Sequence, residues 1–299
     1  MARRLVVDAD AAGADAARDA AILDAADRGV VTSASVVANG ATAEAFVKAA
    51  LARPRLGLGL HLNLVEGRPL AGRSFTLVGA GGLFPGDPRV VWKRAVEGHV
   101  DPQEVERETV AQWRRLVALG AAPDHLDSRA HVHVLPGFLD GVVRALEFLK
   151  ADVHVRVPAE EDPPPDASPV IEPGMPLGTV VISAARLRQA RAGHGGLASL
   201  GAHADAARVA LRPPLWTSAG FAGLALATDP GPFLLAAALA SAKGDVVELM
   251  LAAGRSAETV PAGPDPRAAK ALALLSTPAA REAVRAAGFE LSTFAAARG

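Results

Sequence analysis

Three predicted strands carry carboxylate, imidazole or amide side chains at alternating positions near their ends. Asp8 and Asp10 follow the apolar start of the first strand, His61 and Asn63 stand in "GLGLHLNL", and Asp127 stands in "HLDSRAHVHVLP". Alternate residues of a strand share one face, so each of these strands would present a polar face. Aspartate and histidine serve as general acids, general bases and metal ligands. We therefore predict one polar site where these strands end.

Short apolar runs that predict strands alternate along the chain with stretches that predict helices. The predicted strands cover residues 5–9, 30–38, 56–64, 124–127, 153–157 and 246–251, and the predicted helices cover 15–27, 42–51, 266–274 and 278–287. Repeated strand–helix units predict a parallel sheet with helices outside it, either a closed barrel or an open doubly wound sheet. A strand of an open sheet that is covered on both sides is apolar throughout. The small and polar face of "GLGLHLNL" therefore favours a barrel with a polar interior.

The clearest start of a helix lies in "DPQEVERETVAQWRRLVALG". Asp101 is placed as the helix cap, Pro102 stands at the first helical position, and Glu104 stands where a capping box has its glutamate. The apolar stripe predicted to face the core consists of Val105, Thr109, Trp113, Leu116 and Val117. We therefore expect a helix from Pro102 onward that packs through this stripe.

Composition excludes several classes of protein and of site. The chain has 299 residues, a formal net charge of −1 and no cysteine, so any metal must be bound by histidine, carboxylate or backbone groups. The balanced charge predicts no nucleic-acid partner, and "MARRLVVDAD" resembles neither a signal peptide nor a membrane anchor. We expect a cytoplasmic protein with no membrane partner and one domain over residues 1–299, with a proline-rich loop near residues 158–176. A homodimer stays open.

Five motifs, in order along the chain, resemble the YdjC-like carbohydrate deacetylase family. "DADAAG" at residues 8–13 is similar to the family's "NADDFG", "GVVTSASVVANG" at residues 29–40 to "GIVTSTSLMVNG", and "GLHLNLVEGRPL" at residues 59–70 to "GLHLNLTEGRPL". "HLDSRAHVH" at residues 125–133 is similar to "HLDSHHHVH", and "ELMLAAG" at residues 248–254 to "ELMCHPG". The resemblance implies an α/β fold, a distorted (β/α) barrel, and an activity that removes acetyl groups from N-acetylated amino sugars.

The resemblance also implies where the family's reactive groups fall in this sequence. The metal ligands fall at Ala11, His61 and Arg129, so two of the three are replaced, whereas the catalytic base falls at Asp10. Other reactive positions of the family fall at Ala219, Gly220 and Ala252. Alanine offers no lone pair to a metal, and a guanidinium group repels a divalent cation. Arg129 is therefore expected to pair with Asp10 or Asp127 instead.

The other polar residues of the motifs are expected to line a ligand pocket. These substrate-binding candidates are Asp8, Asn63, Asp127, His131 and His133. Asp10 and Arg129 are the candidates for catalytic roles, and His61 is the expected metal ligand that remains. The expected partner is a small molecule, either sugar-like or a biosynthetic intermediate.

Three hypotheses about function follow from these substitutions. In the first, a degenerate family member is a pseudoenzyme that keeps the barrel and its cleft, binds a ligand and has no cofactor. In the second, an active hydrolase rebuilds a site for one divalent metal, Mg²⁺ or Zn²⁺, from His61 and neighbouring carboxylates or histidines. In the third, a metal-free enzyme uses Asp10, His61 and Arg129, and the arginine stabilises an anion. We favour the first over the second because the substitutions fall on reactive positions while the scaffold motifs match.

Overall fold

The computed structural model describes residues 2–79, 81–160, 197–228, 230–251 and 266–298, and its strands form one parallel sheet. The strands in these ranges are β1 Arg3–Ala12, β2 Ser33–Val36, β3 Gly57–Leu62, β4 His125–Ser128, β5 His154–Val155, β6 Gly220–Ala222, β7 Val246–Leu251 and β8 Phe289–Leu291. Their order in the sheet is β5-β4-β3-β2-β1-β7-β6, and β8 pairs with the first residues of β1. The predicted α/β class is confirmed.

Helices connect the strands, as repeated strand–helix units require. The helices are α1 Ala16–Arg28, α2 Ala43–Ala50, α3 Pro88–Val96, α4 Pro102–Ala118, α5 Phe138–Phe148, α6 Leu197–Ala210, α7 Leu224–Thr228, α8 Pro232–Ser241, α9 Pro266–Leu275, α10 Pro278–Ala286 and α11 Phe294–Ala297, with a 3₁₀ segment over Arg129–Val134. The four helices predicted from periodicity are confirmed, and each end lies within one residue of the prediction. The predicted strand over 30–38 is shorter in the structure, because only Ser33–Val36 pairs with its neighbours.

The sheet curls so that its two edges are joined through one backbone bridge. His154 of β5 forms a parallel bridge with Trp216, which lies just before β6 at the opposite edge. The backbone N–H of Val155 donates to the Trp216 carbonyl at 2.8 Å, and the Trp216 N–H donates to the Val153 carbonyl at 3.2 Å. The architecture is therefore a curled parallel barrel, as the polar face of β3 predicted.

Glycine on β3 makes room for a histidine inside the barrel. The leucines of β3 belong to the main apolar core, whereas Gly59 stands on the alternate face. A methyl group added at Gly59 would lie 2.3 Å from the imidazole of His125 on β4, far inside van der Waals contact. Gly59 thus leaves the space that the His125 side chain of the neighbouring strand occupies.

The start of α4 differs from the prediction in one respect. Asp101 caps the helix and accepts from the Gln103 N–H at 2.9 Å, as expected, but the predicted capping box is wrong. The Glu104 carboxylate accepts instead from the hydroxyl and N–H groups of Ser74, Phe75 and Thr76, because that loop supplies donors to a buried acceptor.

The apolar stripe of α4 is narrower than predicted. Val105, Thr109, Trp113 and Leu116 are buried, but Val117 is 51% exposed, because it lies one position around the helix from Leu116.

Two further expectations concern loops and membranes. Residues 161–176 of the predicted proline-rich loop lie outside the described residues, as does Ala252. Among the helices that the structure describes, none has the length and apolar character needed to cross a bilayer.

Candidate active site

A buried arginine gathers four carboxylates at the centre of the barrel. Arg156 follows β5 directly, and its side chain is completely buried. Its Nε donates to Glu248 on β7 at 2.5 Å, and its Nη2 donates to Asp8 at 2.8 Å. Nη1 and Nη2 also donate to the two oxygens of Asp10, at 3.0 and 2.8 Å, in a bidentate pair. Nη1 also forms an ion pair with Asp127 on β4. Carboxylates from three strands, β1, β4 and β7, therefore meet at one guanidinium group.

Beside this cluster, His61 is held by two neighbouring strands. His61 Nδ1 lies 2.9 Å from Asp127 Oδ1 and 3.1 Å from the Ser35 hydroxyl, which also donates to Asp127 Oδ2 at 3.1 Å. The sheet register places His61 opposite Asp127, so this pairing follows directly from the parallel ladder. The contacts fix the orientation of the imidazole through its Nδ1.

His125 lies beneath the cluster and contacts a carboxylate through each ring nitrogen. Its Nδ1 is 2.6 Å from Asp124, and its Nε2 is 3.2 Å from Asp8 Oδ1. Burial lowers the pKa of His125, but the attraction of Asp8 and Asp124 outweighs burial and holds that pKa well above its usual range. His125 is therefore a buried cation.

Two other histidines near the cluster are kept neutral. Burial lowers the pKa of His133 to about 4, and its ring contacts the Ser128 hydroxyl at 2.7 Å and the Arg156 carbonyl at 2.8 Å. Burial together with the nearby His125 and Arg156 holds the pKa of His154 well below its usual range. His154 Nε2 accepts from the backbone N–H of Ser218 at 2.9 Å, which requires a lone pair on that nitrogen.

The carboxylates of the cluster differ in their tendency to ionise. Burial raises the pKa of Asp10 well above its ordinary value despite the Arg156 contact, and burial also raises the pKa of Glu248 to about 7. For Asp127, burial is outweighed by Arg156 and His61, so its pKa lies well below the ordinary value. Burial therefore favours the protonated form of Asp10 and Glu248, whereas Asp127 stays ionised beside Arg156 and His61.

The arginine expected at this cluster is not the one found there. Arg129 lies in the 3₁₀ segment, and its Nη2 pairs with Glu66 at 2.9 Å, whereas Arg156 makes the pairing that was expected with Asp10 and Asp127. The sequence carried a signal for Arg156, because "VHVRV" alternates in the same way as the other site strands. Glu248 in "VVELML" shows the same alternation and was also missed.

The predicted substrate-binding residues fall into three groups. Asp8 and Asp127 contact Arg156 directly. Asn63 is engaged in its own turn, because its amide donates to Asn39 and the Glu66 carbonyl and its oxygen accepts from the N–H groups of Val65 and Glu66. The structure brings His131 and His133 to the 3₁₀ segment, where both are buried, and their binding roles stay predictions.

Three non-glycine residues near the site adopt left-handed backbone conformations. Their φ angles are 59° at Ala11, 53° at Ala130 and 56° at His131. Such conformations are strained for residues with a side chain and cluster at functional sites. Ala11 is also one of the positions at which the resemblance places a metal ligand.

One set of described residues could offer several atoms to a metal ion. Ligand atoms of Asp10, His61 and Asp127 lie within 4.8 Å of one another. Both Asp10 oxygens already accept from Arg156, and the Asp127 oxygens face His61, Ser35 and Arg156. A divalent cation in this position would have to compete with a fixed guanidinium group.

Comparisons with known proteins agree with the motifs and the fold. A family model described as YdjC-like protein matches residues 4–286. The chain is 35% identical over 137 residues to a chitooligosaccharide deacetylase of Klebsiella pneumoniae, which covers 45% of this chain and 52% of the relative. It is 42% identical over 152 residues to a carbohydrate deacetylase of Homo sapiens, which covers 48% of this chain and 45% of the relative. These matches span about half the length of the curated relatives.

A solved structure of a candidate cellobiose-phosphate cleavage protein from Enterococcus faecalis has the same fold. It superposes with a TM-score of 0.70 over 99% of this chain and 98% of that one, at 18% identity. Since the family model covers most of the sequence, the chain belongs to the YdjC-like family of carbohydrate deacetylases.

Proposed function

We propose that this chain is a ligand-binding member of the family that takes up a small, sugar-like molecule and does not carry out metal-dependent deacetylation. The observation that carries the proposal is the state of the expected metal-ligand positions. The side chain of Ala11 has no atom that can bind a metal, and Arg129 brings a permanent cation that is paired with Glu66. Only His61 remains of the three ligands that the family resemblance implies.

The chemistry of amide hydrolysis explains why these two positions matter. In the family reaction a bound divalent metal polarises the acetyl carbonyl and lowers the pKa of the attacking water. The residues present here do not fit that ion, because a methyl group and a guanidinium group stand where two ligands are needed. Asp10, the implied base, has both oxygens in the fork of Arg156, so proton acceptance at Asp10 would weaken a buried ion pair.

A rebuilt metal site is the second candidate, because Asp10, His61 and Asp127 bring ligand atoms within 4.8 Å. The electrostatics of that position disfavour it. Arg156 contacts both carboxylates, and cation repulsion at short range in a buried site is severe. A metal could bind there only if Arg156 moved away from carboxylates that it now neutralises.

Metal content distinguishes the two candidates. Protein stripped with chelator and reconstituted separately with Mg²⁺, Zn²⁺, Mn²⁺ and Ni²⁺ is examined by elemental mass spectrometry, and each sample is assayed for release of acetate from N-acetylated sugars. We expect neither stoichiometric metal nor turnover in the natural chain. The double variant Ala11→Asp/Arg129→His is expected to gain metal binding, and adding His61→Ala should abolish that gain. Stoichiometric metal with turnover in the natural chain would overturn the proposal in favour of the rebuilt site.

A further inference from the structure

A cavity of about 360 Å³ lies against β6, at one edge of the sheet. We propose that it binds a small zwitterion, a molecule with a carboxylate at one end and an ammonium group at the other, separated by several carbon atoms. The carboxylate would lie beside Arg208 and Lys243. The ammonium group would lie beside Glu160 and Asp205. This site is separate from the cluster around Arg156, so the proposal goes beyond sugar binding in the barrel.

The cavity lies on the outer side of the barrel. The Phe221 ring of β6 faces the interior, where it stands edge-on to His131 and near the guanidinium group of Arg156. Alternate residues of a strand point to opposite sides, so Gly220 and Ala222 face outward. Both line the cavity, together with residues of the outer helices α6 and α8. The volume falls within the range of small-molecule pockets.

Two cations stand at the end of the cavity where β6 begins. Arg208 lies near the end of α6, and its Nη1 donates to the carbonyl of Ser218, two residues before β6, at 3.3 Å. Lys243 follows α8, and its carbonyl would collide with a methyl group added at Gly220, the first residue of β6. Both residues line the cavity. This end therefore attracts an anionic group.

Two carboxylates stand at the opposite end of the cavity. Glu160 accepts from the N–H groups of Gly223 and Leu224, which follow β6 directly, at 3.3 and 3.1 Å. Asp205 lies one turn before Arg208 on α6, about 4.5 Å farther from the end at which that helix leads toward β6. The three residues of β6 span about 10 Å. The carboxylates and the cations are therefore separated along the strand.

This separation of charge selects a dipolar ligand. The two carboxylates and two cations sum to zero, so the cavity as a whole favours neither an anion nor a cation. A zwitterion in one orientation meets an opposite charge at each end, whereas a ligand with a single charge gains at one end only. In the part of the chain that the structure describes, Arg208 forms no ion pair with Asp205, because it donates to a backbone carbonyl. Each group therefore keeps its charge for a ligand.

Isothermal titration calorimetry at pH 7 and low ionic strength tests the proposal with three ligands of matched length. 6-Aminohexanoate carries both charges, hexanoate carries only the carboxylate, and hexylamine carries only the ammonium group. We expect 6-aminohexanoate to bind about fivefold more tightly than either of the others, the effect of one exposed ion pair. Added salt should weaken that preference, because charges near the surface are screened.

Two variants at exposed side chains locate each charged group of the ligand. Lys243→Gln should lower the affinity for 6-aminohexanoate and hexanoate but not for hexylamine. Asp205→Asn should lower the affinity for 6-aminohexanoate and hexylamine but not for hexanoate. Lys270→Gln and Asp140→Asn change exposed residues outside the cavity, so these matched controls should bind all three ligands as the natural protein does.

Three outcomes overturn the proposal. The first is that none of the three ligands binds. The second is that hexanoate or hexylamine binds as tightly as 6-aminohexanoate, which would show that a single charge is sufficient. The third is that the control variants lower affinity as much as the cavity variants do. Metal content and acetate release decide the proposed function independently of all three.

Discussion

Two buried glutamates of this protein differ in their hydrogen-bond donors and in the direction in which their pKa values are shifted. Glu104 on α4 accepts from the Ser74 hydroxyl at 2.6 Å, from the Phe75 N–H at 2.9 Å, and from both the N–H and the hydroxyl of Thr76 at 2.8 Å. Burial alone would raise the pKa of Glu104, but these donors outweigh burial and lower the pKa to about 2. Among the described residues, Glu248 on β7 has one donor, Nε of Arg156, and its pKa is raised to about 7.

The difference lies in the donors, because both side chains are buried: Glu104 is 4% exposed and Glu248 is 1% exposed. Glu104 has donors of its own, so it is a structural carboxylate that anchors a loop. Glu248 shares Arg156 with Asp8, Asp10 and Asp127. The site is therefore the part of the molecule where four carboxylates depend on one guanidinium group, and burial raises the pKa values of two of them, Asp10 and Glu248.

The largest expected effect comes from removing the shared cation. Arg156→Met should destabilise the protein by about 3–5 kcal/mol, because it leaves several buried carboxylates without their partner. Urea unfolding at neutral pH measures the change. Arg156→Lys keeps the charge but loses the fork to Asp10, so we expect a smaller loss. A change of less than about 1 kcal/mol for Arg156→Met would contradict the idea that the cluster depends on this cation.

Replacing Glu248 by glutamine should change the pH dependence of stability. The pKa of Glu248 is raised from 4.5 to about 7 in the folded protein, so its stabilising contribution is complete below pH 4.5 and is lost as pH rises through 7. Glutamine resembles the protonated form, so the stability of Glu248→Gln relative to the natural protein should rise between these pH values by up to about 3 kcal/mol.

Urea unfolding across that pH range measures this effect. The groups that face Glu248 are Arg156, Asp8 and His154, and they stay unchanged in the variant. Glu290→Gln at an exposed position of β8 is the matched control, and its unfolding free energy should follow that of the natural protein. Parallel curves for Glu248→Gln and the natural protein would show that Glu248 ionises normally.

The sequence predicted the barrel and much of its polar interior. Alternation in β3 located His61 on the inner face, and the sheet register then set it opposite Asp127. The same alternation was present around Arg156, but its partners could not be predicted. Arg156 lies 148 residues from Asp8, and their contact depends on the curvature of the whole sheet. Periodicity assigns a residue to a face but does not identify its neighbours across a barrel.

Two predictions from local sequence patterns were wrong, because residues distant in the chain make the contacts instead. The spacing of Asp101 and Glu104 fits a capping box, but the Asp101 N–H donates to the Thr76 hydroxyl at 3.1 Å instead. Arg129 was expected to replace the charge of a missing metal, yet Glu66 in the loop after β3 is its partner. In both cases a loop from elsewhere in the chain supplied the contact, and loop conformations are the least accessible part of a fold from sequence alone.

The smallest expected effect comes from replacing Glu104, the structural carboxylate of the two glutamates compared above. The pKa of Glu104 is lowered from 4.5 to about 2, so its stabilising contribution is present above pH 4.5 and is lost as pH falls toward 2. Glu104→Gln should therefore reduce the free energy of unfolding by about 1–3 kcal/mol at neutral pH. At acid pH the free energies of unfolding of the variant and the natural protein should converge, which is the opposite direction to Glu248→Gln.

Glu106→Gln on the same helix is the control, and urea titrations at both pH values measure all three proteins. If Glu104→Gln instead gained stability as pH rose, the pKa of Glu104 would be raised like that of Glu248. A shortage of hydrogen-bond donors to buried carboxylates would then not be confined to the site.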